Sequence, residues 1–181
     1  MVRTANAFQA RRVHIVGPHK WNRKGALMTE LYQHVENHPS IAQLVECWHN
    51  RIAGEIAAAR AEAGAAAFHA HEAAVHGDTA VVAAATAQVD AAEARIRELE
   101  ASRVIAMDII PGAVPMETYR FPKRCLMLFG AEGPGLSEKV LELADDVVYI
   151  SQFGSVRSIN AGAAAAVSMH AWIAQHAAIR G

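Results

Sequence analysis

The sequence predicts an α/β fold built on a parallel sheet, with an antiparallel helical hairpin inserted into it. Three observations carry that prediction. Residues 12–17 (RVHIVG), 104–108 (VIAMD), 125–129 (CLMLF) and 147–150 (VVYI) are short apolar runs separated by helical stretches. Strands apolar on both faces and alternating with helices belong to a parallel sheet covered on both sides. Between them, residues 52–103 carry two heptad-spaced seams of small apolar residues, the pattern of two helices packed closely side by side. Finally, a Gly-rich turn follows the third run, and a Ser-Ile-Asn helix start follows the fourth. At 181 residues the chain accommodates one domain with an appendage and can bury a real core.

In chain order, the first run ends in a Gly-Pro turn at Gly17 and Pro18, and residues 40–51 read as a helix of mixed charge. The first seam is Ile52, Ile56, Ala59, Ala63, Ala66, Ala70 and Ala73; the second is Val82, Ala85, Val89, Ala92, Ile96 and Leu99. His76-Gly77-Asp78-Thr79 between them supplies a helix stop and then an N-cap. Each arm of about 24 residues would extend roughly 36 Å, and the alanines leave it little apolar area to bury. Residues 137–144 form a short helix with Ser137 as N-cap. Residues 160–179 form another, so rich in Ala and Gly that something must pack closely against it. The domain division expected is therefore 1–51 and 104–181 for the sheet domain and 52–103 for the hairpin.

Charge is uneven along a chain of net charge −1. Residues 1–51 hold seven Lys/Arg against three Asp/Glu, 52–103 four against eight, and 104–181 six against seven. No acidic residue precedes Glu30, while Arg3, Arg11, Arg12, Lys20, Arg23 and Lys24 do; such a basic start is an electrostatic footprint for a polyanion. Cys47 and Cys125 lie outside any CxxC spacing, which argues against a disulfide framework or zinc site and for a reducing, cytoplasmic compartment. Cys125 reads as a small buried hydrophobe. The apolar stretches are short and Ala-dominated, too weak to span a bilayer. Ten histidines include the pairs His34/His38 and His69/His71. Neither pair has further ligands at convincing spacing, so no metal site is expected.

The chemistry is concentrated in CLMLFGAEGPGLS (125–137) and VYISQFGSVRSINAGAAAA (149–166). Glycines let the backbone approach a ligand, and a helix start turns free N–H groups and side-chain oxygens outward. In order and at short spacing, the two stretches resemble the second and third motifs of the SpoU/TrmH methyltransferases of the SPOUT superfamily, with Ile159 in place of the usual Leu. The match covers residues 125–175. The resemblance implies a parallel-sheet SPOUT domain with a C-terminal trefoil knot, S-adenosylmethionine bound in that knot, and a homodimer packed through the last helix. It implies methylation of a ribose 2′-hydroxyl in tRNA or rRNA, with Arg11, Arg12, Lys20, Arg23 and Lys24 meeting the RNA phosphates.

The start of the chain, Met1-Val2-Arg3-Thr4-Ala5-Asn6-Ala7-Phe8, resembles the end of the family's first motif. Arg3 matches the family's catalytic arginine, and the motif's Asn and Gly, with the first strand, would lie before Met1. Either the start is placed too late or the protein is shortened; the intact Arg3 and later motifs favour the former. The resemblance assigns Arg3 to deprotonating the 2′-hydroxyl together with a substrate phosphate, since arginine is by itself a poor base. Ser158 and Asn160 would position the ribose or that arginine, and Glu132 would hold the motif-two loop in shape. Backbone at Leu128, Gly130, Ile150 and Ile159 would cradle the cofactor. The alternative is an RNA- and S-adenosylmethionine-binding knot domain that lost turnover through N-terminal truncation. A third reading makes the acidic hairpin a docking arm for a protein partner.

Overall fold

The computed structural model describes residues 1–18, 28–131, 135–155 and 158–177. The chain divides into two compact units. One comprises Met1–Glu46, Arg103–Phe121 and Cys125–Gly181; the other comprises Cys47–Ser102 and Pro122–Arg124.

In the first unit, α1 (Val2–Ala7) precedes β1 (Val13–Val16), and a 3-10 turn at Thr29–Leu31 leads into β2 (Val35–His38). The remaining elements are β3 (Arg103–Met107), β4 (Val114–Pro115), β5 (Cys125–Phe129), α4 (Glu138–Glu142), β6 (Asp146–Tyr149) and α5 (Ala161–His176). A four-stranded sheet has the order β4-β6-β3-β5, and a two-stranded sheet pairs β1 with β2. Every pairing is parallel, as the doubly apolar runs imply. The strand expected at 12–17 is β1, but it is only partly buried, with Val16 exposed. Its partner β2 went unpredicted because Glu36 and His38 interrupt any apolar run.

The middle of the larger sheet is the core. Val104, Ile105, Ala106 and Val148 have no exposed surface. Around Ile105 and Val148 pack Met116 and Phe121, with Tyr119, Cys125, Met127 and Trp172 partly buried against them. Asp145 grips the start of β3 twice: its amide donates to the Val104 carbonyl (2.8 Å), and its Oδ2 accepts from the Val104 amide (2.7 Å). The neighbouring Asp146 accepts a 2.7 Å hydrogen bond from the Tyr119 hydroxyl. Burial, and then that bond and the carboxylate charge, push the phenol well above its ordinary value. The end of α5 is held to the 119–121 segment. Gln175 donates to the Tyr119 carbonyl (3.0 Å) and accepts from the Phe121 amide (2.9 Å), and the His176 ring meets the Phe121 carbonyl at 2.7 Å.

The second unit is built from α2 (Ile41–Val75), which begins in the first unit, and α3 (Thr79–Glu100). The helix expected at 40–51 and the first arm of the hairpin are thus one uninterrupted helix, since nothing between them stops it. Gly77 at φ +75° ends it, and Asp78 Oδ1 caps α3 by accepting from the Val81 amide (3.1 Å). Burial alternates along the seams read from the heptads: Ile52, Ala59, Ala66, Ala85, Ala92 and Leu99 are buried, and the seam positions between them are half-buried. Ion pairs Arg60–Glu100 (2.9 Å) and Arg95–Glu62 (3.6 Å) link the two helices in antiparallel order. The 122–124 segment closes on the same unit through Lys123–Glu98 and Arg124–Glu55, the latter at 2.6 Å. No helix among the described residues is long and apolar enough to cross a membrane.

Candidate functional site

The carboxyl ends of β3, β5 and β6 open together on a cavity of about 410 Å³, the place where α/β sheets bind ligands. β3 lies between the other two, so the residues that follow each strand converge. Met107, Asp108 and Ile109 come from β3, Phe129, Gly130 and Ala131 from β5, and Tyr149, Ile150 and Gln152 from β6. Ser158, Ile159 and Asn160 bring in the start of α5.

The floor is made by a turn that glycine alone permits. A Cβ on Gly130 would lie 2.4 Å from the carbonyl carbon of Gly135 and 2.7 Å from its oxygen. Gly135 has φ +69°, and its amide donates to the Ala131 carbonyl at 3.2 Å. Gly130 and Ala131 therefore lie in close backbone contact with Gly135 at the end of β5, and all three line the cavity. Across from it, Asn160 caps α5: its Oδ1 accepts from the amides of Gly162 (2.8 Å) and Ala163 (3.3 Å). The sequence expectation of a helix start here is met, with Asn160 outside the helix and the helix ending at His176 rather than at 179.

Two polar groups give the cavity its chemical character. Asp108 brings a carboxylate whose Oδ1 accepts from the Ile109 amide (2.8 Å). Gln152 Oε1 is buried without a hydrogen-bond partner among the described residues. A buried acceptor left unsatisfied is costly, so the cavity is suited to a ligand that brings a donor. The loop carrying Gln152 is anchored from β4's side of the sheet. The Ser151 hydroxyl donates to Glu117 at 2.9 Å, and the Ser151 amide reaches the same carboxylate at 3.4 Å. The Glu117 backbone amide, and then the Ser151 hydroxyl, hold that carboxyl below its ordinary value.

Gly130, Ile150, Ser158, Ile159 and Asn160, singled out from sequence, all line the cavity. Leu128 is buried within β5 and does not; the next residue, Phe129, does. Arg3 is exposed on α1 and is not a lining residue. Arg11 is exposed. Arg12, expected to meet phosphate, makes a 2.7 Å ion pair with Glu36. Glu132, Lys20, Arg23 and Lys24 lie outside the described residues. Sequence reasoning missed Asp108 and Gln152 as site residues. Asp108 closes the run at 104–108 and Gln152 sits two residues beyond the run at 147–150, a signal that becomes specific only once strand order is known.

The first unit is thus a parallel α/β domain with a cavity at the carboxyl ends of its strands. More narrowly, residues 56–170 match the SpoU rRNA Methylase family, and the chain belongs to that family. A tRNA (guanosine(18)-2'-O)-methyltransferase of Saccharomyces cerevisiae is 32% identical over 81 residues, which are 44% of this chain and 6% of the yeast protein. The chain thus spans a small part of that relative.

Among solved structures, the SpoU methyltransferase AviRb from Streptomyces viridochromogenes, in complex with AdoMet, aligns over 96% of this chain and 51% of its own. Its TM-score is 0.60 at 19% identity. The A. aeolicus TrmH/SpoU tRNA modifying enzyme aligns over 96% of this chain and 66% of its own, with TM-score 0.60 and 14% identity. These are likenesses of fold.

Proposed function

We propose that this chain is an S-adenosylmethionine-dependent methyltransferase acting on ribose 2′-hydroxyls of tRNA or rRNA. The observation that carries the reading is the cavity where the Gly130–Gly135 turn faces Ser158 and Asn160, in a chain of the SpoU family. The residues present fit the cofactor. Gly130 and Gly135 meet in a backbone contact that only glycine allows at 130, beside the cavity, and Gln152 Oε1, buried and without a partner among the described residues, calls for a donor. Backbone at Gly130, Ile150 and Ile159 would hold it, and the Asp108 carboxylate suits a ligand bearing positive charge. Bound there, S-adenosylmethionine supplies a methyl group activated on a sulfonium.

The protein's share of the reaction is proximity and removal of one proton. Ser158, exposed at the cavity edge, orients the ribose. Asn160 keeps the start of α5 in place through its cap. Arg3 carries the deprotonating role with a substrate phosphate; Glu132, to which the family resemblance gives a loop-holding role, lies outside the described residues. A trefoil knot belongs to the same reading, supported by the family match over residues 56–170. So does a homodimer through α5, supported by the exposed small and apolar positions Ala163, Val167 and Ala174.

Calorimetric titration with S-adenosylmethionine, followed by methyl transfer to bulk tRNA and rRNA, tests the reading. Binding with transfer, and loss of transfer but not of binding in Arg3→Ala, is expected. Binding without transfer would mark a knot domain devoid of turnover, and absence of binding would overturn the reading altogether.

A further inference from the structure

The structure assembles a second constellation, on the two-stranded sheet. Strand alternation places His14 and Val16 on one face of β1, and Glu36 and His38 on one face of β2. The register sets His14 opposite Glu36, and Val16 opposite His38. Three donor atoms therefore converge. His14 Nδ1 is 3.0 Å from His38 Nε2 and 3.5 Å from Glu36 Oε2, and His38 Nε2 is 3.7 Å from the same oxygen. The two imidazoles are nearly buried, at 10% and 9% side-chain exposure, and Glu36 is 32% exposed.

We propose that His14, Glu36 and His38 bind a divalent transition-metal ion of the zinc type, clipping β1 to β2. Zinc bonds of about 2.0–2.2 Å in tetrahedral array require donor–donor edges of roughly 3.3–3.5 Å, close to the three separations found here. A hydrogen bond between the two rings would account for the shortest of them. It would not explain why Glu36 aims one oxygen between the rings, at distances too long for a good hydrogen bond to either. The other oxygen of Glu36 accepts from Arg12 Nε at 2.7 Å, the kind of outer contact that fixes a carboxylate ligand's orientation. Two imidazoles and a carboxylate favour zinc over the hard cations magnesium and calcium. Three protein ligands leave a fourth position for water. Two four-residue strands form a weak sheet by themselves, so an ion joining them would add its binding energy to the stability of this segment.

The test uses the full chain, stripped with a chelator and titrated with Zn²⁺ in competition with a chromophoric chelator. One tight site, a rise in melting temperature on loading, and the intense visible absorption of tetrahedral cobalt after Co²⁺ substitution are expected. His14→Ala and His38→Ala should each weaken that site by more than the roughly 10- to 100-fold typical of an outer-contact change, and Arg12→Gln should fall within that range. Unchanged affinity in a folded histidine variant, or no tight site in the wild type, would overturn the proposal and leave a plain histidine pair. Should both histidine variants fail to fold, the wild-type Co²⁺ spectrum decides: an octahedral or absent signal overturns it.

Discussion

Replacing Gly130 by alanine strikes the cavity floor with the smallest possible change. The new methyl would lie 2.4 Å from the Gly135 carbonyl carbon, 2.7 Å from its oxygen and 2.8 Å from its Cα. Carbon atoms in favourable contact sit about 3.5–4.0 Å apart, so the returning turn must retreat by roughly 1 Å or more. All three obstructing atoms are backbone, and no side-chain rotation relieves them. Overpacking of this kind costs about 1–3 kcal/mol. If holding the ligand requires the original turn, that cost appears in binding, weakening S-adenosylmethionine affinity by about 5- to 150-fold. Titration calorimetry on wild type and variant reads the shift. Circular dichroism should find the fold intact, because the turn lies beyond the end of β5. Wild-type affinity in a folded Gly130→Ala protein would refute the claim that this turn is the ligand's floor.

Three further outcomes are expected. Gly64, inside α2, has nothing within 4 Å of an added Cβ. Gly64→Ala should therefore stabilise the protein by about 0.5–1 kcal/mol, read as a higher midpoint in urea. Leu99 is 3% exposed on the seam of α3, and Leu99→Ala should cost about 2–5 kcal/mol in the same assay, far more than any alanine-to-glycine exchange on the exposed face. Glu117 titrates below its ordinary 4.5 in the folded state. Its contribution is thus complete above that value and is lost as pH falls through the lowered one. Thermal melts in a descending pH series should show wild type losing stability faster than Glu117→Gln below about pH 4.5, and parallel curves would count against the anchor.

The parts legible in the sequence were those governed by local pattern. The 125–129 run coincides with β5 because five continuous apolar residues bounded by Arg124 and Gly130 admit little else. The helical seams were readable because heptad spacing is itself a statement about burial. β4 was not readable: it is two residues long and includes Pro115, which donates no hydrogen bond and suits only an edge. β2 was hidden by its own polar residues, two of which, Glu36 and His38, come together with His14. The expectation of no metal site rested on spacing along the chain, and such spacing cannot register His14 beside His38, which a parallel pairing rather than proximity in sequence brings together. In the site, the motif residues were visible from sequence, whereas Asp108 and Gln152 became site residues only through the order β6-β3-β5.

The double grip of Asp145 on Val104 sits at the opposite end of the sheet from the cavity, yet it bears on the cavity's shape. Those two hydrogen bonds set the zero mark from which β3 and β6 are measured, and the strands then run in step through Ile105–Asp146, Ala106–Val147 and Met107–Val148. Asp108 and Tyr149, both lining the cavity, therefore emerge at matched heights because the two strands leave from a common line. A slip of one residue there would send every side chain of one strand to the other face and tilt the rim of the site. Asp145 thus acts as a gauge for a cavity it never touches.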